Sequence, residues 1–210
     1  MTFKLTKHLA VLASCATIAL AGMSTAASAE TKLRGSSAYG PAHIQATVFA
    51  TFIDKFEELT DGRYTGQDFT SGLINAAEMV TGLRDGVVDF GSMLMIYYPA
   101  DFPESMVPSE LSIIGDNPVA IANATTEYIM SCAECQAEFT ERGQIYMGSG
   151  WTSPYQIQAK KPVITLEDLE GLRLRTAGSV FTSWAEYMGA EPVQMPATET
   201  FEALNQGIID

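Results

Sequence analysis

Apolar residues recur along the first part of the chain with the periods of strands and helices. Residues 32–36 and 63–69 alternate as strands do, and 87–90 is a short apolar strand. Helices are expected between them at 42–59 and 75–84, the second of them after a turn at Ser71 and Gly72. The apolar face of the longer helix comprises Ile44, Val48, Phe52, Ile53 and Phe56. Strands that alternate with helices in this way predict an α/β fold.

The middle of the chain is predicted to be helical over residues 117–142, with a break near Cys132 and Cys135. Residues 145–148 and 155–159 then alternate as two further strands. No low-complexity tract or flexible linker separates these segments, so we expect any domain boundary to be crossed by structured elements.

The stretch from 165 to 210 repeats the strand–helix alternation most clearly. Thr165 and Asp168 suit the start of a one-turn helix that Gly171 can end, and residues 172–175 alternate as a strand. The elements expected after it are a helix at 181–188, a strand at 191–195 and a helix from the cap Thr198 to 206. Arg175 lies at the C-terminal end of the first of these strands, the edge where open α/β sheets bind their ligands.

One pattern occurs twice. Residues 78–89 read EMVTGLRDGVVD and residues 199–210 read ETFEALNQGIID, which share the first Glu, the Leu, the Gly and the final Asp. Each reads as a helix, a Gly at its C-terminal cap and a short buried strand. The spacing of 121 residues between the two copies is too long for a solenoid and suits one unit used once in each of two similar lobes.

Four motifs in order resemble a known family. They are GLRDGVVDFG at 82–91, DLEGLRLR at 168–175, MGAEPVQM at 188–195 and the run at 199–210. This series is similar to the solute-binding proteins of tripartite ATP-independent periplasmic (TRAP) transporters, the DctP family. The resemblance implies a two-lobe periplasmic-binding-protein-like fold of type II, each lobe a mixed sheet flanked by helices. It places the first lobe at 30–150 and the first part of the second at 151–210. Family members are much longer, so we expect a C-terminal part, with a helix that spans both lobes, to be missing from these 210 residues.

The candidate ligand site consists of one arginine and several aromatic residues. Arg173 shares a strand face with Arg175, but Arg175 lies nearer the strand end and matches the arginine that holds the ligand carboxylate in the family. Large amphipathic rings after strands can close over a small ligand; here these are Trp151, Tyr155, Tyr97 and Tyr98. The resemblance adds Glu199 and Phe201. The second arginine that sialic-acid-type relatives carry near Tyr155 and Gln156 is absent.

The N-terminus has the pattern of a secretory signal peptide. Lys4 and Lys7 precede an apolar stretch at 9–23, and Ala27-Ser28-Ala29 predicts cleavage after Ala29. The apolar run is short for a membrane anchor. A lipoprotein cleavage box ending at Cys15 is an alternative. The pattern predicts an exported protein, and the family resemblance implies the periplasm as its location.

Charge and composition narrow the class of partner. Removal of the export segment takes away Lys4 and Lys7 and no acidic residue, so the net charge of −13 becomes −15. Such a charge argues against nucleic acid and anionic membranes as partners, but not against an anionic ligand at a local cation. The family resemblance implies a small organic acid as the ligand and the integral membrane subunits of a TRAP transporter as partners, and we expect a monomer.

The chain has few residues of the types that enzymes use as catalytic nucleophiles or bases. Cys132 and Cys135 predict a short-range disulfide in an exported protein, with a redox pair and a metal site as alternatives. His43, predicted at a helix start, is the one histidine after the export segment. No cofactor motif is present, and we expect a binding protein and not an enzyme. The binding protein of an ATP-driven transporter, a ligand sensor and an exported redox protein remain alternatives.

Overall fold

The computed structural model describes residues 30–70, 73–111, 115–152 and 154–210. The predicted export segment, with Ala29 and Cys15, and the predicted turn at Ser71 and Gly72 lie outside these ranges. None of the helices within them has the length and apolar character that a membrane crossing requires.

Three parallel strands form the first sheet, in the order β2-β1-β3. The strands are β1 (Thr31–Ser36), β2 (Tyr64–Asp68) and β3 (Phe90–Gly91), with helices α1 (Ile44–Leu59) and α2 (Met79–Arg84) in the crossovers. The register places Thr31 opposite Tyr64, and Gly35 opposite both Asp68 and Phe90. The ends of all three strands therefore meet at one edge of the sheet, next to the loop that follows β1.

Helix α1 packs on this sheet with a face that differs from the predicted one. Its buried residues are Ala46, Phe49 and Ile53, whereas Ile44 and Val48 are 66 % and 55 % exposed. The prediction is wrong for Ile44 and Val48, because glycines in the strands determine which face of the helix packs against the sheet. A Cβ on Gly35 would lie 2.6 Å from the Phe90 ring and 2.8 Å from that of Phe49. The rings of Phe90 and Phe49 occupy the space that a side chain at position 35 would fill. Helix α1 is therefore rotated so that Phe49 faces the sheet.

The helical middle of the chain comprises three helices, α3 (Val107–Glu110), α4 (Pro118–Ser131) and α5 (Ala133–Thr140). Asn117 caps α4 by accepting hydrogen bonds from the N–H groups of Val119 and Ala120. The predicted break falls at Cys132, whose backbone is extended. Helices α4 and α5 contribute Ile129, Cys135 and Phe139 to a buried cluster that also contains Phe102.

A disulfide joins Cys132 to Cys135, as predicted. Cys135 is fully buried, and Cys132 packs against the same core cluster. The pair connects helix α4 to helix α5, whereas the redox interpretation calls for a strand before the first cysteine. Its surroundings therefore favour the structural interpretation.

Two parallel strands form the second sheet, β4 (Arg173–Thr176) and β5 (Glu191–Gln194). Helix α6 (Ser179–Tyr187) connects them, and α7 (Thr200–Asn205) follows. The predicted cap before β4 is confirmed: an Asp168 carboxylate oxygen accepts from the N–H groups of Ile164 and Thr165, each at 2.9 Å. All described pairings in both sheets are parallel, and the antiparallel pairing of a mixed sheet is not among them.

Several local predictions are wrong. The segments 145–148 and 155–159 are not strands, because no described strand lies alongside either of them. Helix α2 begins four residues after the predicted start, and Val87 and Val88 precede the two-residue strand β3. Thr198 lies inside a 3-10 turn (Ala197–Glu199), and no side-chain hydrogen bond caps α7. Alternation alone does not supply the neighbour that a strand requires.

The repeated sequence pattern is a repeated structure. In the first copy, the Arg34 guanidinium donates to both oxygens of Asp89 and to the carbonyl of Gly86. In the second, Arg173 donates to both oxygens of Asp210 and to the carbonyl of Gly207. Each aspartate also accepts from the arginine's backbone N–H and donates its own N–H to the arginine's carbonyl. We call each arrangement an Arg–Gly–Asp joint.

Acid is expected to weaken the second joint. Hydrogen bonds from the Arg173 side chain and backbone lower the pKa of Asp210 to about 2. This value lies below the ordinary Asp pKa of about 3.9, so the joint contributes its full stability above about pH 4 and loses it as the pH falls toward 2. Urea unfolding of the full-length mature protein at pH 6, 4 and 3 should show a smaller acid-dependent loss for Asp210→Asn than for wild type. Asp54→Asn, at an exposed position on α1, is the control. An equal loss of unfolding free energy between pH 6 and pH 3 in all three proteins would contradict the prediction.

The part from β1 to α5 (the first lobe) contacts the part from β4 to α7 (the second lobe) through a small apolar cluster. Ile96 of the first lobe packs against Ala177 and Phe181 of the second. The Ile96 side chain also reaches the backbone of Gly178, whose φ of 87° and ψ of −179° favour glycine. A hydrogen bond of 2.8 Å from the Ser179 hydroxyl to the Glu110 carboxylate accompanies this contact. The lobe boundary at 150–151 stays a prediction.

Candidate functional site

Arg175 lies at the C-terminal end of β4, where it links the two lobes. Its Nε donates to the carbonyl of Met195 and its Nη2 to the hydroxyl of Tyr97, each at 2.8 Å. These two donors share one edge of the planar guanidinium. The other edge carries Nη1 and the second hydrogen of Nη2, and no described residue accepts from Nη1. Two parallel donors on one edge are the geometry that binds a carboxylate with both oxygens.

Arg175 also differs from most arginines of the chain in its charge partner. Carboxylates pair with four others, namely Arg34, Arg84, Arg142 and Arg173. Within the ranges that the structure describes, Arg175 is half-buried and has no carboxylate partner. Because a desolvated charge is costly unless it is paired, this side chain is suited to an anion from outside the chain.

The structure distinguishes Arg175 from Arg173, which periodicity alone could not do. Arg173 points its guanidinium at Asp210, 2.7 Å away, and belongs to the second Arg–Gly–Asp joint. Solvent or the nearby Glu167, Asp168 and Glu170 were the alternatives that the sequence left for both arginines, and the observed partner of Arg173 is none of these. Its partner lies 37 residues away in the chain and reaches β4 through the backbone pairing that follows α7.

Tyr97 holds the Arg175 edge in place. It ends a one-turn 3-10 helix (Met95–Tyr97) after β3, and its ring packs against the apolar cluster between the lobes. Its hydroxyl oxygen accepts from Arg175 and, at 3.2 Å, from the backbone N–H of Ala197. The hydroxyl proton therefore remains available to a ligand oxygen.

Tyr39 belongs to the same neighbourhood, although the sequence analysis did not identify it. Burial, assisted by the Tyr97 and Tyr155 hydroxyls and opposed by the Arg175 charge, raises the pKa of Tyr39 to about 12. The ring stacks on His43 with centroids 4.1 Å apart, and His43 itself caps α1 through Nδ1. Its position in the chain was the available signal, because Tyr39 follows the C-terminal end of β1 and Arg175 lies at that of β4.

The loop that carries Tyr39 is firmly held. Ser36, Ser37 and Ala38 are fully buried, and the Asp68 carboxylate accepts the N–H of Ser37 at 3.0 Å. Ala38 has a φ of 60°, a left-handed conformation that costs a residue with a side chain free energy. Strain of this kind is tolerated where the surroundings fix it, and it often occurs beside binding sites.

Tyr155 provides a second aromatic wall. Its ring lies 4.5 Å from that of Phe181, a buried residue of α6. Protein atoms crowd the region around its hydroxyl and raise the pKa of Tyr155, while the Arg175 charge lowers it. The residue as a whole is nevertheless 56 % exposed.

The other predicted site residues are not brought to Arg175. Trp151 is half-buried, Glu199 is exposed at the end of a 3-10 turn, and Phe201 on α7 is 72 % exposed. No described contact joins any of them to the arginine, and their roles stay predictions. Tyr98 is a core residue: its ring is buried and its hydroxyl donates to the carbonyl of Ala76 at 2.6 Å. Among the described residues, no group of three or more His, Cys, Asp or Glu could hold a metal ion.

Two parallel sheets that present an arginine and tyrosines between them have the architecture of a two-lobe solute-binding protein. Residues 35–210 match the model of bacterial extracellular solute-binding proteins, family 7 (DctP), and the chain belongs to this family. The resemblance inferred from the sequence motifs is thereby confirmed.

Similar proteins support the same family and fold. A solute-binding protein of Sulfitobacter sp. strain NAS-14.1 is 28 % identical over 95 % of this chain and 61 % of its own length. A TRAP solute-binding protein from Rhodoferax ferrireducens T118, solved with benzoate, is 25 % identical with a TM-score of 0.69, covering 86 % of this chain and 56 % of that one. One from Sulfitobacter sp. NAS-14.1, solved with β-D-galacturonate, is 21 % identical with a TM-score of 0.65, over 86 % and 60 % of the two chains. The chain thus spans less than two thirds of these relatives.

Proposed function

We propose that this protein captures a small organic acid between its two lobes and delivers it to the integral membrane subunits of a TRAP transporter. The observation that carries the proposal is the half-buried Arg175, which has protein acceptors on one edge and, among the described residues, neither an acceptor on the other edge nor a carboxylate partner. A ligand carboxylate would accept two parallel, charge-assisted hydrogen bonds from the outer edge of the Arg175 guanidinium. The acids bound by the Rhodoferax and Sulfitobacter proteins, benzoate and galacturonate, each carry one carboxylate.

The proposed mechanism is closure of the lobes on the ligand. Arg175 comes from the second lobe and Tyr97 from the first, so a carboxylate bound to both gains contacts only when the lobes are together. A ligand shifts an open–closed balance by the free energy of such differential contacts. Trp151, Glu199 and Phe201 belong to the proposal as outer contacts that the closing lobes would add.

The proposal places the protein in the periplasm, the location of its family, and describes a monomer without enzymatic activity. Membrane subunits would recognise its closed form. The alternative of an exported redox protein has less support, because the disulfide lies between two helices and one of its cysteines is fully buried.

A thermal-shift series on the full-length mature protein tests this function. The compounds are monocarboxylates, dicarboxylates and sugar acids, each beside the neutral amide of the same acid. An acid at a hundred times its Kd stabilises the fold by about 2.7 kcal/mol, which a melting curve detects readily. We expect at least one acid to raise the Tm and its amide to have no effect. A shift produced by neutral or cationic compounds alone would contradict the proposal.

A further inference from the structure

Among the residues that the structure describes, Arg175 is the one cation whose charge acts on both Tyr39 and Tyr155. Four other arginines are engaged with carboxylates in other parts of the structure, and Lys160 donates to the carbonyl of Leu204. A ligand with two carboxylates would bring a second charge for which these residues offer no partner. Burying an unpaired charge opposes binding, so one carboxylate is the charge that the site can accommodate.

The groups around this cation are predominantly aromatic. Tyr97 touches Arg175 directly and packs on the cluster that contains Phe181. Phe181 in turn lies 4.5 Å from the Tyr155 ring, at an interplanar angle of 41°. Tyr155, which is 56 % exposed, is therefore linked through Phe181 to the cluster on which Tyr97 packs. Aromatic pairs in stacked or edge-to-face arrangements gain more than their buried area accounts for.

We propose that the ligand is an aromatic monocarboxylate, with its carboxylate on the outer edge of Arg175 and its ring against Tyr155 and Tyr97. This inference rests on the proposed function and specifies its class of substrate. A sugar acid of the same size fits less well, because its hydroxyl groups would face ring surfaces that cannot satisfy them. Tyr155 acts as the specificity-determining residue, since it presents an open aromatic side chain to the ligand.

Isothermal titration of the full-length mature protein with three acids tests the proposal. The probes are benzoate, cyclohexanecarboxylate, which has a similar size but no π-system, and succinate, which has a second carboxylate. We expect benzoate to bind at least about tenfold more tightly than either of the others. Tighter binding of succinate that is lost in Arg175→Ala would overturn the aromatic ligand and leave the proposed function standing. If none of the three acids binds and no acid in the thermal-shift series raises the Tm, both the aromatic ligand and the proposed function are overturned.

Tyr155→Leu separates an aromatic contact from a merely apolar one. We expect this variant to bind benzoate about tenfold more weakly and cyclohexanecarboxylate as tightly as wild type does. Tyr187→Leu is the matched control, because that tyrosine is 87 % exposed on α6 and should leave both affinities unchanged. An equal loss for the two acids in Tyr155→Leu would show that the ring contributes only apolar area and would contradict the proposal.

Discussion

Replacing Arg175 with alanine is expected to weaken binding at least tenfold for the acid that stabilises the protein most in the thermal-shift series. The guanidinium is half-buried, and the edge away from Met195 and Tyr97 is free of described acceptors. Removing one member of a desolvated, hydrogen-bonded charge pair typically costs 2–5 kcal/mol, and about 1.4 kcal/mol corresponds to tenfold in affinity. Isothermal titration measures the change directly.

Two further substitutions show what the arginine contributes. Arg175→Lys keeps the charge but lacks the paired donors, so it should restore affinity only in part. Arg84→Ala is the control, because that arginine is exposed and pairs with its chain neighbour Asp85. Arg173→Ala is unsuitable as a control, since it would also break the joint with Asp210. Wild-type affinity in Arg175→Ala would exclude this residue as the carboxylate partner.

Gly178→Ala is expected to destabilise the protein and to weaken ligand binding. The φ of 87° and ψ of −179° at this position lie in a region that is nearly closed to residues with a side chain. A Cβ would also collide with the Ile96 side chain and approach its carbonyl oxygen to 3.2 Å. Backbone strain and overpacking each cost about 1–3 kcal/mol, so the free energy of unfolding should fall by roughly 2–6 kcal/mol.

The effect on binding distinguishes this glycine from others with positive φ. Gly143 has a φ of 68°, but nothing lies within 4 Å of a Cβ built there. Gly143→Ala should therefore lose stability through strain alone and keep its ligand affinity. Urea unfolding and titration of both variants separate the two contributions. Equal affinities in Gly178→Ala and wild type would show that the contact with Ile96 is not needed for binding.

The sequence predicted best those elements whose signals are local. The cap at Asp168, the alternation before Arg175 and the glycine after the one-turn helix all lie within ten residues, and the structure has them nearly where they were expected. The break at Cys132 is another local signal. Arg175 was predicted as a ligand contact because strand ends in α/β sheets collect such contacts, and this role stays a prediction. Tyr39 follows the same rule at β1.

The prediction errors arise where contacts between distant parts of the chain determine the local structure. The face of α1 depends on how closely Phe49 and Phe90 approach Gly35 across the sheet. Alternation at 145–148 and 155–159 could not show whether a neighbouring strand exists. Tyr98 looks like Tyr97 in sequence, yet its hydroxyl reaches Ala76 in the core whereas that of Tyr97 reaches Arg175. Side-chain direction in such a loop is set by tertiary contacts.

The two Arg–Gly–Asp joints bear on how the protein folds. Arg34 and Asp89 are 55 residues apart, and Arg173 and Asp210 are 37 apart, so each joint closes within its own lobe. Contacts of limited sequence separation form before long-range ones have to, and domains generally fold as units during synthesis. We therefore expect the first sheet to reach its native register once Gly91 has left the ribosome, before β4 has been synthesised. The contact of Arg175 with Tyr97 is then expected to form later, when the second lobe has folded.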